Sequence, residues 1–68
     1  MKAIVFGGSG FLGSHVADSL SAEGYQVTIY DSHESSYLQE NQKMVIGDIL
    51  NQEEVIRAVA GCDYVYNF

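Results

Sequence analysis

Three glycines spaced three residues apart restrict the fold of this chain more than any other feature of its sequence. Gly7, Gly10 and Gly13 follow a short apolar run over residues 3–6. A run of that length, rich in Ile, Val and Phe, is typical of a buried strand in a parallel sheet. Glycine is the usual residue where the backbone turns sharply or where another group approaches it closely. We therefore predict a buried strand that ends in a tight turn.

A helix is predicted to begin inside that turn and to extend over residues 11–23. Its apolar stripe consists of Phe11, Leu12, Val16, Ala17 and Leu20. Leu12, Val16 and Leu20 recur every four residues, which is the spacing of one helix face. Gly24 follows, and glycine is common directly after a helix because it adopts the left-handed conformation without strain. The chain thus begins with a strand–turn–helix unit.

The remaining sequence repeats this alternation. Further strands are predicted over 25–30, 43–46 and 63–68. Residues 31–42 are predicted to form a loop with one helical turn near Tyr37. A second helix is predicted between Asn51 and Gly61. Asn51 and Glu54 have the spacing of a capping box at the start of that helix. Its core-facing residues are expected to be Val55, Ile56 and Val59.

Strands that alternate with helices predict a parallel sheet with right-handed crossovers. The expected fold class is therefore α/β, with the element order β-α-β-β-α-β and the strand order 3-2-1-4. This is the N-terminal half of a doubly wound sheet of Rossmann type. The last strand still continues at Phe68, so we expect residues 1–68 to be a partial domain, interrupted in its fourth strand. An exposed strand edge favours self-association, so we also expect a homo-oligomer.

The glycine turn has the spacing that accommodates a pyrophosphate. In such turns the first glycine permits the sharp exit from the strand, the second lets the phosphates approach the backbone, and the third lets the helix pack closely. The free N–H groups of the first helical turn would point at the phosphates, where the helix end adds about half a positive charge. No Gly-Lys-Ser/Thr follows, so the turn is not a P-loop. A tight turn without a ligand is the alternative.

Asp31 directly follows the second predicted strand, 18 positions after Gly13. A carboxylate there accepts hydrogen bonds from the hydroxyls of an adenosine ribose. A 2′-phosphate would meet a like charge, and two unit charges about 4 Å apart repel by roughly 4 kcal/mol at a surface-like dielectric. Among the neighbouring residues only a protonated His33 could offset that repulsion. We therefore expect NAD rather than NADP, with a solvated turn aspartate as the alternative.

Taken together, these residues resemble a known family. The segment Gly-Gly-Ser-Gly-Phe-Leu-Gly-Ser-His is similar to the Gly-x-x-Gly-x-x-Gly loop of the extended short-chain dehydrogenase/reductases, and above all of their NAD-dependent epimerase/dehydratase group. The stretch 47–49 resembles that family's Gly-Asp-Ile/Leu motif, whose aspartate contacts the adenine amino group, and residues 63–68 resemble its fourth strand. The resemblance implies cofactor contacts at Gly7, Gly10, Phe11, Leu12, Gly13, Asp31, Asp48 and Ile49.

The resemblance also implies the chemistry of the intact protein. Such enzymes pass a hydride from a nucleotide sugar to NAD, act on the keto intermediate and return the hydride, while a Tyr-x-x-x-Lys pair and a Ser or Thr handle the protons. This chain contains no Tyr-x-x-x-Lys, so no catalytic residue is assigned in it. Three alternatives stay open: a related dehydrogenase or reductase with a non-sugar substrate, a non-catalytic dinucleotide-binding module, and a purely structural segment.

Composition argues against several other partners. The net charge is −6, and Lys2, Lys43 and Arg57 are the only strong bases. The chain therefore lacks the basic cluster that would neutralise a nucleic-acid backbone. Its N-terminal apolar run is too short for a membrane span or a signal peptide. A single cysteine, Cys62, and the lack of any cluster with metal-ligand spacing lead us to expect a metal-free protein of the reducing cytoplasm.

We predict that a polypeptide of residues 1–68 alone does not turn over a nucleotide sugar, because it carries no Tyr/Lys pair. The measurement is epimerisation of UDP-glucose by the purified polypeptide with added NAD, followed chromatographically against a protein-free blank. Conversion above the blank would show that the chemistry lies within these residues.

Overall fold

The computed structural model describes residues 1–35, 38–39 and 42–68. Across that part of the chain the elements are β1 (Lys2–Phe6), α1 (Phe11–Ala22), β2 (Gln26–Asp31), β3 (Gln42–Ile46), α2 (Gln52–Val59) and β4 (Tyr64–Asn67). The strands pair in parallel in the order β3-β2-β1-β4. The predicted α/β class, element order and strand order are confirmed, and the strand ends differ from the predicted ones by a single residue at most. Of the helical turn expected near Tyr37 and Leu38, Tyr37 lies outside the described residues and Leu38 has no regular secondary structure.

The sheet carries one helix on each face. Successive residues of a strand point to opposite sides, so the apolar run of β1 serves two cores. Ala3 and Val5 join the core under α1, whereas Ile4 and Phe6 join the core under α2. The first core consists of Ala3, Val5, Ala17, Leu20, Val27 and Ile29, and the second of Ile4, Phe6 and Tyr30. This two-sided burial is why β1 is apolar at consecutive positions rather than alternate ones.

The buried face of α1 differs from the predicted stripe. Phe11 and Leu12 are 70% and 63% exposed, whereas Ala17 and Leu20 are buried as predicted. The helix instead buries Gly13, Ser14, Ala17, Leu20 and Ser21. The reason is the close approach of the first helical turn to the glycine turn, which leaves room there only for small residues. The prediction that Phe11 and Leu12 belong to the core stripe is therefore wrong.

Helix α2 packs less deeply than α1. Val55 and Val59 contact the second core as predicted, but Ile56 is 65% exposed and the prediction that it faces the core is wrong. The cap at Asn51 is confirmed, since its side-chain oxygen accepts a hydrogen bond from the Glu54 N–H at 3.2 Å. The reciprocal half of a capping box is absent from the described residues, because the Glu54 carboxylate accepts a hydrogen bond from Tyr30 instead. Gly24 and Gly61, after the two helices, both have positive φ.

Strand β4 completes the sheet beside β1. The backbone N–H of Lys2 donates to the Asp63 carboxylate at 2.8 Å, and the Asp63 N–H donates to the Lys2 carbonyl at 2.7 Å. In the described part of the chain β4 forms one edge of the sheet and β3 the other. Self-association through such an edge stays a prediction.

We expect Asn51→Ala to lower the free energy of unfolding by about 1 kcal/mol, because it removes the side-chain cap of α2. The measurement is chemical denaturation of the protein that carries this segment. Gln52→Ala, one position later and exposed, is the matched control and should change stability little. Equal stability of the wild type and Asn51→Ala would show that the cap contributes nothing.

Candidate functional site

A cleft of about 400 Å³ lies at the carboxyl ends of the strands. It is lined by Phe6, Gly7, Gly10, Tyr30, Asp31, Ser32, Gly47, Asp48, Ile49, Asn67 and Phe68. Ligands of open α/β sheets bind at this edge, outside the carboxyl ends of the strands. The structure thus gathers five of the predicted site residues in one cleft: Gly7, Gly10, Asp31, Asp48 and Ile49. Phe11, Leu12 and Gly13 do not line it and lie in the first turn of α1.

The glycine turn forms the floor between β1 and α1. Gly7 has a φ of +79°, and its N–H donates to the Tyr30 carbonyl at 2.9 Å. A Cβ on Gly13 would collide with the Gly7 carbonyl and lie 2.8 Å from the Gly8 Cα, so the helix could not approach the turn. A Cβ on Gly10 would meet only the Gly7 carbonyl oxygen, at 3.6 Å. The packing of the protein itself therefore requires glycine at position 13 but leaves open space at position 10.

The N-terminus of α1 has backbone N–H groups that find no acceptor within the helix. Gly10 is the N-cap residue and has no side chain with which to cap the helix. Its carbonyl accepts from the Ser14 N–H at 2.9 Å. The N–H groups of Phe11, Leu12 and Gly13 precede that bond, and an α-helix provides no internal acceptor for them. Phe11 and Leu12 thus enter the candidate site through their backbone N–H groups, while their side chains are exposed.

Asp31 is the last residue of β2, and its side chain is only 17% exposed. One carboxylate oxygen accepts from the Ser9 N–H at 3.2 Å, and the other accepts from the His33 N–H at 3.2 Å. The imidazole of His33 lies 3.9 Å from the second oxygen. These bonds fix the carboxylate beside the glycine turn. Each carboxylate oxygen keeps acceptor capacity for a further donor.

Ser9 is a residue of the site that the sequence analysis missed. Its hydroxyl donates to the His33 carbonyl at 2.6 Å, and its N–H donates to Asp31. Ser9 therefore ties the glycine turn to the end of β2. The only signal in the sequence is a small polar residue between two glycines, and spacing alone does not assign it a partner.

The turn at 47–49 forms the opposite wall of the cleft. The Gly47 N–H donates to the Asp31 carbonyl at 3.0 Å, which ties this turn to β2. The Asp48 carboxylate accepts from the Leu50 N–H at 2.9 Å, and its carbonyl accepts from the Asn51 N–H at 2.9 Å. Ile49 is exposed beside it. This wall therefore offers an apolar side chain next to a carboxylate.

Tyr30 is the second functional residue missed in the sequence. It is fully buried, and its ring packs on Phe6 with 5.0 Å between ring centroids. Its hydroxyl lies 3.1 Å from a carboxylate oxygen of Glu54 and 3.3 Å from the Asp48 carbonyl. Burial raises the pKa of the Tyr30 hydroxyl above its ordinary value, and the carboxylate of Glu54 raises that pKa further. The hydroxyl therefore stays protonated and acts as a donor at physiological pH.

Residues 1–35, 38–39 and 42–68 contain the two helices α1 and α2. Neither helix in these ranges has the length and apolar character needed to cross a lipid bilayer. Within the same ranges, no three His, Cys, Asp or Glu side chains come together as a metal-binding group would.

Comparison with known proteins places the chain among related sequences and structures. Residues 3–68 match the NAD dependent epimerase/dehydratase family. The chain is 36% identical over 66 residues to the sterol-4-alpha-carboxylate 3-dehydrogenase, decarboxylating, of Mus musculus, a match that covers 97% of this chain and 18% of that protein. It superposes on a UDP-glucose 4-epimerase of Thermotoga maritima, solved with UDP-glucose, with a TM-score of 0.87 and 33% identity, covering 100% of this chain and 24% of that one.

A UDP-glucose 4-epimerase of Brucella ovis, solved in complex with NAD, gives a TM-score of 0.85 and 32% identity, covering 98% of this chain and 22% of that one. The chain therefore spans between 18% and 24% of the length of these three proteins.

We predict unequal losses of stability for alanine at two glycines of the turn. Gly13→Ala should lower the free energy of unfolding by about 2 kcal/mol or more, because its Cβ collides with backbone that cannot yield easily. Gly10→Ala should cost less than about 1 kcal/mol, since the extended N-cap backbone accepts alanine and the space is open. Denaturant titration of both variants against the wild type measures the difference. Equal losses would contradict the packing described for Gly13.

Proposed function

Because the chain belongs to the NAD-dependent epimerase/dehydratase family, we propose that it forms the NAD-binding part of a larger enzyme of that family whose substrate is a nucleotide sugar. The observation that carries the proposal is the single cleft that holds Gly7, Gly10, Asp31, Asp48 and Ile49 at the strand ends. Bound NAD would supply the hydride chemistry, while these residues would bind and orient the dinucleotide.

The glycine turn and the N-terminus of α1 suit the pyrophosphate. Gly10 leaves the backbone open where a phosphate would approach, and no packing contact among the described residues accounts for glycine there. The spare N–H groups of Phe11 and Leu12 point along the helix axis, so they can donate to phosphate oxygens. This anion site needs no lysine or arginine, which agrees with the acidic composition of the chain.

The Asp31 carboxylate suits the adenosine ribose. It is held beside the glycine turn by the N–H groups of Ser9 and His33, within reach of a sugar attached to the bound pyrophosphate. Its remaining acceptor capacity serves two ribose hydroxyls, whereas a 2′-phosphate would face a negative charge. These contacts support NAD over NADP.

The wall at 47–49 suits the adenine base. Ile49 offers an exposed apolar side chain against which an aromatic ring can lie. The Asp48 carboxylate keeps one oxygen that no contact of the turn requires, and this oxygen can accept a hydrogen bond from an exocyclic amino group. Adenine has such a group, so the wall recognises the base as well as covering it.

The substrate proposal has a second candidate. The UDP-glucose 4-epimerases support a nucleotide sugar, whereas the 36% identity with the mouse sterol-4-alpha-carboxylate 3-dehydrogenase favours a dehydrogenase that acts on a sterol carboxylate. The enzyme that carries this segment should be assayed with UDP-glucose and with a sterol-4-alpha-carboxylate, each with NAD. Turnover of the sterol alone would replace the first proposal by the second. If neither is converted and NAD still binds, a non-catalytic dinucleotide-binding role becomes the better explanation.

We expect Asp31→Asn to reduce the preference for NAD over NADP by about tenfold or more, because it removes the charge that repels a 2′-phosphate. Titration calorimetry with each dinucleotide on the protein that carries this segment measures the ratio of affinities. Asp63→Asn makes the same change of net charge at the other end of the sheet and should leave the ratio unchanged. If the wild type binds neither dinucleotide, the proposed function is wrong.

A further inference from the structure

The hydroxyl of Tyr30 lies where three elements meet. It is 3.1 Å from the Glu54 carboxylate in the first turn of α2 and 3.3 Å from the Asp48 carbonyl in the turn after β3. The tyrosine itself belongs to β2 and is fully buried. A buried hydroxyl that lies between acceptors on two other elements links its own strand, β2, to both of them.

The turn after β3 packs directly against the Tyr30 hydroxyl. A Cβ built on Gly47 would collide with the Tyr30 hydroxyl and would lie 2.7 Å from the Tyr30 Cζ and 2.9 Å from a Glu54 carboxylate oxygen. The backbone at Gly47 therefore packs so closely against the phenol and the carboxylate that a side chain would have no room there. Glycine at this position is required by Tyr30 and Glu54 rather than by the conformation of the turn, since Gly47 is not among the glycines with positive φ.

Most of the other bonds that fix Asp48 come from its own turn. The Leu50 N–H donates to its carboxylate and the Asn51 N–H donates to its carbonyl. Such local bonds determine the shape of the turn but not its position relative to the sheet. Besides the pairing of β3 with β2, two contacts tie the turn to β2: the bond from the Gly47 N–H to the Asp31 carbonyl, and the bond from the Tyr30 hydroxyl to the Asp48 carbonyl.

We propose that Tyr30 is a positioning residue for recognition of the base, which holds the Asp48 carboxylate where it accepts a hydrogen bond from the adenine amino group. The inference rests on the proposed function, because it takes the base of NAD to lie against Asp48. Tyr30 acts through the main chain of Asp48, and the Glu54 carboxylate competes with the Asp48 carbonyl for the single proton of the Tyr30 hydroxyl. Tyr30 does not need to touch the base.

The test uses two dinucleotides that differ at one group of the base. NAD carries the 6-amino group, and nicotinamide hypoxanthine dinucleotide carries an oxygen in its place. The wild-type protein that contains this segment should bind NAD more tightly. Tyr30→Phe removes one oxygen and keeps the ring against Phe6. We expect it to lower the ratio of the two affinities by about threefold or more, as for the loss of one hydrogen bond. A merely structural role would weaken both dinucleotides alike and leave the ratio unchanged.

Glu54 gives a second, independent variant. Glu54→Ala leaves the hydroxyl proton of Tyr30 to the Asp48 carbonyl alone, so it should keep or raise the ratio that Tyr30→Phe lowers. This variant tests the proposal if Tyr30→Phe fails to fold. Tyr25→Phe is the matched control, since that tyrosine lies at the opposite end of β2 with its ring 5.7 Å from that of Tyr64.

The outcomes distinguish failure of the proposed function from failure of the positioning role. A wild-type protein that binds neither dinucleotide overturns the proposed function. A wild-type protein that prefers NAD, with a ratio that is unchanged in Tyr30→Phe or that falls in Glu54→Ala, overturns the positioning role alone. A wild-type protein that binds both dinucleotides equally also overturns it, because there is then no recognition of the amino group to position.

Discussion

The contact between Gly13 and the backbone of the glycine turn determines the arrangement of the rest of this structure. Because no Cβ intervenes, α1 begins directly against the Gly7 carbonyl and the Gly8 Cα. The first helical turn thereby lies at the mouth of the cleft, with its spare N–H groups at the edge where the strands end. The same contact selects small residues for the buried face of the helix and leaves Phe11 and Leu12 at the surface. One missing methyl group thus sets both the packing of α1 and the position of the candidate anion site.

The fold could be predicted from the sequence wherever a local pattern had one physical explanation. The apolar run of β1, the glycines after each helix and the cap at Asn51 each depend on residues within a few positions of one another. The prediction failed where depth of burial depended on distant elements. Leu12 recurs at the four-residue spacing of a core-facing helix position. It is nevertheless exposed, because it lies in the first turn of α1, which extends beyond the core. Ile56 has the same period in α2, a helix that contacts the sheet with only one narrow face.

In the candidate site, too, the residues set by local patterns could be predicted and those set by distant contacts could not. Asp31 and Asp48 could be found because each directly follows a strand, and parallel strands bring their carboxyl ends to one edge. Ser9 and the pair of Tyr30 and Glu54 could not be found, because their partners lie 22 to 24 positions away in the chain. Which residues meet across such distances depends on the register of the strands and the tilt of α2. The spacing of residues in the sequence contains neither quantity.

The pairing of β4 with β1 has a consequence for how the chain acquires its structure during synthesis. The bond between the Lys2 N–H and the Asp63 carboxylate spans 61 positions, so the second edge of β1 stays uncovered until β4 has been synthesised. Until then the nascent chain holds β1 and β2 with an open apolar edge, and contacts of such long separation form slowly because the intervening loop must first close. An open strand edge of this kind favours aggregation while the chain is still being translated.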